Sequence, residues 1–396
     1  MKDVKISDYL WFQEGPGVRN TQYTTSGVKL INVANLVDGN VDLSTSDRYI
    51  SEEEAYGKYN HFLADDGDFV IASSGIKIDY FDKKMGFIKK EHLPLCMNTS
   101  CIRFKVLDTN NLEIKYFMYY LKSNSFKKQL FNQITGSAQL NFGPSHLKKM
   151  TFPLIELKEQ KRIIERLDKT QNIINETKYL LSKYDTLIKS RFIEMFGNPQ
   201  CISNNWKVNP LSDYCIVNPK KSELGPIPDD YELSFIPMQS VSENGDVDTS
   251  SIKHYKDVKT GFTYFRENDV LFAKITPCME NGKGGVARKL KNQIGFGSTE
   301  FLVLRPIETI SNSEWIYRLT TFKTFRKDAE NNMTGSAGQR RTPKEFFDKY
   351  KVGLPPIELQ NDFADFVQQI DKSKFEIWRY LKFSDIMNKI GFRFYD

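Results

Sequence analysis

A chain of 396 residues that carries the same short strings twice, in the same order, has few folds open to it. TGSA stands at 135–138 and again at 334–337, an offset of 199. The same offset sets Tyr116-Phe117-Met118-Tyr119 against Trp315-Ile316-Tyr317-Arg318, and Phe126 against Phe325. GDFVIA (67–72) matches NDVLFA (268–273) at 201, PLIEL (153–157) matches PPIEL (355–359) at 202, DGNVD (38–42) resembles NGDVD (244–248) at 206, and Ser7-Asp8-Tyr9 matches Ser212-Asp213-Tyr214 at 205. One such match is chance, but six in register are a duplication. The period is too long for a solenoid, which leaves a tandem pair of domains.

Each copy reads in two parts. The first holds short apolar or alternating runs, such as KLINVANLV (29–37), DFVIAS (68–73), DVLFAKI (269–275) and STEFLVLRP (298–306), separated by Gly, Asn and Asp turns. That pattern predicts strands, and an aromatic content of 13% fits sheet-rich domains with bulky cores. A helix of about 15 residues, Tyr116–Phe131 in one copy and Glu314–Ala329 in the other, is expected to close each domain. The second part is a long helix. From Leu157 to Phe196, Leu167, Ile174, Leu181 and Ile188 recur at seven-residue spacing, and FGNP (196–199) ends the run. From about Leu359 to Met387, Phe363, Ile370 and Ile377 repeat the spacing. Two matching stripes in one chain most economically pair with each other; each helix packing on its own domain is the alternative. The expected fold is therefore mixed α/β (α+β): two similar globular domains joined by two long helices that form an antiparallel coiled coil, with pseudo-two-fold symmetry. The boundaries are 1–155 and 199–357 for the domains, 156–198 for the first helix, and 358–396 for the second with its tail.

Composition narrows the chemistry. No apolar run approaches the roughly 18 residues of a membrane helix, and the opening MKDVKISDYLWFQEG has no apolar core for a secretion signal. A cytoplasmic chain is expected. Five scattered cysteines without a CxxC pair and four separated histidines argue against a zinc site. GKGG (282–285) lacks the rest of a phosphate-binding loop. Neither an S-adenosylmethionine loop nor a nucleophile–base arrangement stands out, so no catalytic residue and no metal ligand is assigned. The net charge of +6 is compatible with a polyanionic partner without requiring one.

TGSAQLNF (135–142) and TGSAGQRR (334–341), each followed by a PLIELKEQ- or PPIELQND-type entry into a long helix, resemble the specificity subunits of type I restriction–modification systems. LIKSRFIEMFGNP (187–199) and ITPCMENGKGG (275–285) are similar to segments of the same family. The resemblance covers essentially the whole chain. It implies a non-catalytic DNA-specificity subunit whose two target-recognition domains each grip one half of a bipartite target, with the helices as a ruler between them. It further implies two docked methyltransferase subunits and ATP-driven restriction/translocase subunits, with S-adenosylmethionine, ATP and magnesium belonging to those partners. Two variants of this reading stay open: an orphan or alternative specificity subunit, and the recognition partner of a fused methyltransferase–nuclease. A scaffold or adhesin on a coiled-coil stalk is the rival from another class.

Reading double-stranded DNA needs cations and backbone N–H groups for phosphates, and Arg, Lys, Asn or Gln for base edges. In the second domain the candidates are Lys274, Thr276, Asn281, Lys283, Gln339, Arg340 and Arg341, the last three after a small-residue loop that lets the backbone approach a duplex. In the first they are Ser74, Lys77, Ser137, Gln139 and Asn141. The loops differ, ASSGIKIDYFDKK (72–84) against AKITPCMENGKGG (273–285), so the two halves of the target are expected to differ.

Overall fold

The computed structural model describes residues 2–133, 140–197, 206–336 and 338–392, with residue 140 and residues 380–392 as backbone alone. The chain divides into two units, residues 1–177 with 379–396, and residues 178–378. Each contains one mixed α/β domain.

In the first domain the continuously apolar run Phe69–Ala72 is buried on both faces and lies inside a four-stranded antiparallel sheet. The strand order is Leu10–Glu14, Cys101–Val106, Phe69–Ala72, Met85–Phe87. A second sheet pairs Leu95–Met97 in parallel with Val28–Ile31, which takes Tyr49–Ile50 on its other edge. The aromatic residues fill the core as a connected set, with Phe104 at 5.4 Å from Phe117 and Phe117 at 5.5 Å from Phe152. Such ring pairs add to what burial alone supplies.

The second domain repeats the plan. Its antiparallel sheet runs Cys215–Val217, Phe301–Pro306, Val270–Ala273, Gly284–Val286. Its other sheet again contains one parallel pair, Glu232–Ile236 with Ile294–Gly297. Both domains close their chain with a two-stranded ladder, Lys2–Lys5 on Thr151–Leu154 and Val208–Pro210 on Lys351–Gly353.

Residues aligned by the repeat sit in corresponding places. Tyr116 and Trp315 are buried, as are Phe126 and Phe325. Asp68 and Asp269 are both buried turn carboxylates. Asp68 accepts from the Asp65 N–H at 2.9 Å and lies 3.1 Å from Arg103. Asp269 accepts from the Arg266 N–H at 2.8 Å and from Arg305 at 2.7 Å. In each case a buried charge is tolerated because it is paired and hydrogen-bonded. The NGDVD turn needs its glycine: Gly245 has φ +97°, and a Cβ there would come within 2.1 Å of the Tyr317 hydroxyl.

Two expectations change. The helix closing each domain is broken in two, Ile114–Leu121 with Asn124–Gln133 and Ser313–Thr321 with Lys323–Asn331. In the first domain the Ser123 hydroxyl accepts from the Phe126 N–H at 3.2 Å and starts the second piece as a cap does. In the second, Phe322 is extended at φ −65°, ψ 136°, and its ring lies 5.1 Å from Phe192. The second change is one of register. Gln160 and Gln360, both fully buried, make the same three bonds at the start of the long helices. Gln160 donates to the carbonyls of Ile155 and Asn111, both at 2.8 Å, and accepts from the Glu113 N–H at 2.9 Å. Gln360 donates to Pro355 at 2.8 Å and Ile310 at 3.1 Å, and accepts from the Asn312 N–H at 2.9 Å. The true offset here is thus that of the two glutamines, 200, and the letter match of PLIEL to PPIEL is out of step with the backbone by two residues.

The first long helix spans Leu157–Phe196, 40 residues, about 60 Å at ~1.5 Å per residue. The second spans Ile357–Phe392, opening earlier and running further than the apolar spacing marked. Pro355 and Pro356 lie just before its first residue, where the N–H that proline lacks would have no acceptor within the helix. Within the second unit the helices pack antiparallel: Phe192 and Phe196 lie 5.5 and 5.3 Å from Phe363, while Asp185 meets Lys374 at 2.6 Å. Of the marked stripe, Ile174, Ile188 and Phe363 are buried, and Leu181, Ile370 and Ile377 are half-buried. Leu167 packs into the core of the first domain. Phe192, Phe196 and Val367, outside the seven-residue rows that were read, are buried in the second domain's core together with Ile188 and Phe363.

Candidate nucleic-acid interface

In both domains the strand that leaves the centre of the antiparallel sheet meets the segment following TGSA, and the two form a short antiparallel ribbon. In the second domain Ile275 bridges Arg341, the Thr276 N–H donates to the Arg340 carbonyl at 3.0 Å, and the Thr342 N–H donates to the Lys274 carbonyl at 2.9 Å. The loop turns back on itself through the pair Thr334 and Arg341, whose N–H groups and carbonyls bond reciprocally at 3.0 and 2.8 Å. Gly335 and Gly338 take φ of +120° and +81° in that turn. Lys274, Thr276, Gln339, Arg340 and Arg341 are thereby brought onto one ribbon. Gln339 is exposed, and Arg340 and Arg341 are half-exposed.

The charges on it are not all open. Arg341 makes a bidentate pair with Glu300, with N···O distances of 2.8 and 2.9 Å. Arg340 lies 3.5 Å from Glu280 and 3.6 Å from Glu330. The hydrogen bond from Arg341 holds the Glu300 carboxyl below its ordinary range, so the pair is ionised at neutral pH. Asn281 is exposed on the turn after Thr276, its N–H bonded to Pro277 at 3.0 Å. Lys283 adjoins the start of the ribbon, its carbonyl accepting from the Ala273 N–H at 3.3 Å, and its ammonium lies 3.4 Å from the Met238 carbonyl.

A cleft of about 470 Å³ opens beside Lys274. Lys221, Lys259, Phe262, Thr299 and Phe301 line it as well. None of these was singled out from sequence. The signal was present in KTGF (259–262), a cation and an aromatic around a turn glycine with φ +79°. Glu300 was missed too, because nothing in STEF (298–301) shows that its carboxylate meets an arginine some forty residues on.

The first domain builds a corresponding ribbon from uncharged residues, with a shift of register between Leu140 and Asn141. Ser74 pairs with Asn141 across it, and the Phe142 N–H donates to the Ser73 carbonyl at 3.0 Å, as Thr342 does to Lys274. The Ser74 hydroxyl bonds that of Ser100 at 2.6 Å. Asn141 is exposed and stands where the second domain has Arg341; Lys77 is exposed just beyond. Ser137 and Gln139 lie outside the described residues. Burial pushes the thiols of Cys96, Cys101 and Cys215 up to about 12, which leaves them protonated and poor as nucleophiles or metal ligands. Among the described residues no three His, Cys, Asp or Glu side chains gather as a metal site would need, and no helix is long and apolar enough to cross a membrane.

A mixed α/β domain present twice, each copy displaying a short ribbon and leading into a long helix, defines a tandem-domain protein. The chain belongs to the type I restriction modification DNA specificity domain family, whose model matches it twice, over residues 18–181 and 203–382. It is similar to the specificity subunit of the type I restriction enzyme EcoAI from Escherichia coli, 41% identical over 162 residues. That match covers 40% of this chain and 27% of the subunit. The EcoEI specificity subunit from Escherichia coli is 37% identical over 156 residues, 39% of this chain and 26% of that one. The matched segments thus span about a quarter of those relatives. A solved structure described by the assembly and conformational transition of the type I R-M system shares the fold, with a TM-score of 0.53 at 14% identity over 99% of this chain and 96% of that one.

Proposed function

We propose that the chain is the non-catalytic DNA-specificity subunit of a type I restriction–modification complex. Each domain reads one half of a bipartite, asymmetric target in double-stranded DNA, and the long helices set the spacing and dock two methyltransferase subunits. Restriction subunits complete the assembly, and methylation and cleavage belong to the partners. The observation that carries this reading is the pair of ribbons. Both contain the same bridge, Ser74 with Asn141 and Ile275 with Arg341, and the same bond just past it, from the Phe142 N–H to Ser73 and from the Thr342 N–H to Lys274, while the side chains they display differ, Asn141 in one and Arg341 in the other. A shared frame with exchanged polar tips is what reading two different sequences requires, because phosphate contacts position a protein and base-edge contacts specify.

The test is duplex binding by the complex assembled with its methyltransferase subunits, titrated with salt. Each neutralised phosphate lowers the slope of log K against log [salt] by about 0.9. A steep negative slope, with cognate duplex preferred over random duplex, is expected. Binding that ignores salt, or no duplex binding, contradicts the reading.

A further inference from the structure

Arg341 is more tightly held than a surface arginine usually is. Its backbone is bonded in both directions to Thr334 and bridges Ile275. Its side chain, 42% exposed, donates through Nε and Nη2 to Glu300 at 2.9 and 2.8 Å, and through Nη1 to the Gln339 carbonyl at 3.1 Å. Glu300 is itself fixed, its N–H on the Ser298 hydroxyl at 3.2 Å and its carbonyl accepting from the Lys274 N–H at 2.9 Å. A guanidinium has five N–H donors. These contacts use three, so one N–H on Nη1 and one on Nη2 have no partner among the described residues.

Charge decides what those two donors fit. The Arg341–Glu300 pair is neutral as a unit, and a phosphate approaching the arginine would meet the Glu300 carboxylate as well. A neutral pair of acceptors escapes that repulsion. Guanine offers one in the major groove, O6 and N7, and arginine is its common bidentate partner. Because Glu300 has already removed most of the side chain's freedom, little ordering is left to oppose binding.

We infer that Arg341 reads a guanine in the half-site of the second domain, with Glu300 as the positioning residue that aims it and cancels its pull on phosphates. The inference rests on the DNA-reading role proposed above. It is confined to this domain, since Asn141 replaces the arginine in the other.

The experiment maps methylated bases in cells whose complex carries Arg341→Gln, Arg341→Lys or Glu300→Gln in the full chain. The wild-type motif is expected to hold one G·C pair whose discrimination falls by about 10- to 100-fold in Arg341→Gln, with adenine gaining at that position and every other position unchanged. Arg341→Lys keeps the charge and the contact with Glu300 but loses the two-donor edge. A lysine still donates to guanine but without the fixed planar fork, so it gives a smaller relaxation at the same single position, which decides the matter if the glutamine variant does not assemble. Glu300→Gln lowers discrimination at the same position and steepens the salt dependence of binding to random duplex, neither of which follows from a merely structural ion pair. A motif with unaltered base preference in both arginine variants, or methylation weakened evenly at all positions, overturns the inference. A wild-type chain that directs no sequence-specific methylation overturns the underlying role instead.

Discussion

Gln160 and Gln360 show how much one side chain can do where a sheet domain hands over to a long helix. Each satisfies one backbone N–H and two carbonyls that burial would otherwise strand. Stranding a buried polar group costs about 1–3 kcal/mol, so Gln360→Leu is expected to lose about 3 kcal/mol, read as a lower urea midpoint at unchanged slope. Neither glutamine was legible beforehand, because a lone Gln in a charged stretch looks like solvent-facing surface. The letter match that should have aligned them was two residues out of step. Glu300 was hidden for a different reason: an ion pair between distant loops leaves no local pattern. Its pH behaviour is a check on the pairing. The bond from Arg341 lowers its folded-state pKa below the ordinary 4.5, so the stability it contributes is fully present above that value and lost as pH falls through the folded one. The stability gap between wild type and Glu300→Gln is therefore expected to stay constant at neutral and mildly acid pH and to close below 4.5; a gap that widens there contradicts the pairing.

At the scale of elements, strands and long helices were legible and their joints were not. Runs such as Phe69–Ala72 and Val270–Ala273 are apolar throughout and became central strands buried on both faces. The seven-residue spacing marked the long helices but only part of what they bury. Phe192, Phe196 and Val367 follow the geometry of a helix end seated in a globular core, where neighbours four apart share a face. The break at Phe322 was likewise invisible, since it serves to bring that ring against Phe192. Phe363 packs against both Phe192 and Phe196 and is fully buried. Truncating such a phenylalanine costs about 3–5 kcal/mol. Phe363→Ala is expected to lose that much by chemical denaturation, whereas exposed Phe375 changed to Ala stays within about 0.5 kcal/mol of wild type.

For the whole molecule, the duplication carries the account. It was legible because selection for one fold twice leaves core positions matched, Tyr116 with Trp315 and Phe126 with Phe325. It also explains why the residues proposed to read DNA were harder to place. The ribbon is defined by backbone pairing, and its side chains vary between copies. Arg340 and Arg341 were picked out for their charge, yet both stand within ion-pair distance of glutamates, which sequence spacing could not show. The central claim is that two domains on one chain read two different half-sites. The most direct measurement is the map of methylated bases in the host genome, made with this chain present and again with residues 199–357 replaced by a copy of residues 1–155. The account predicts a bipartite, non-palindromic motif that becomes palindromic on replacement. A native motif that is already palindromic, or one unchanged by the replacement, would contradict it.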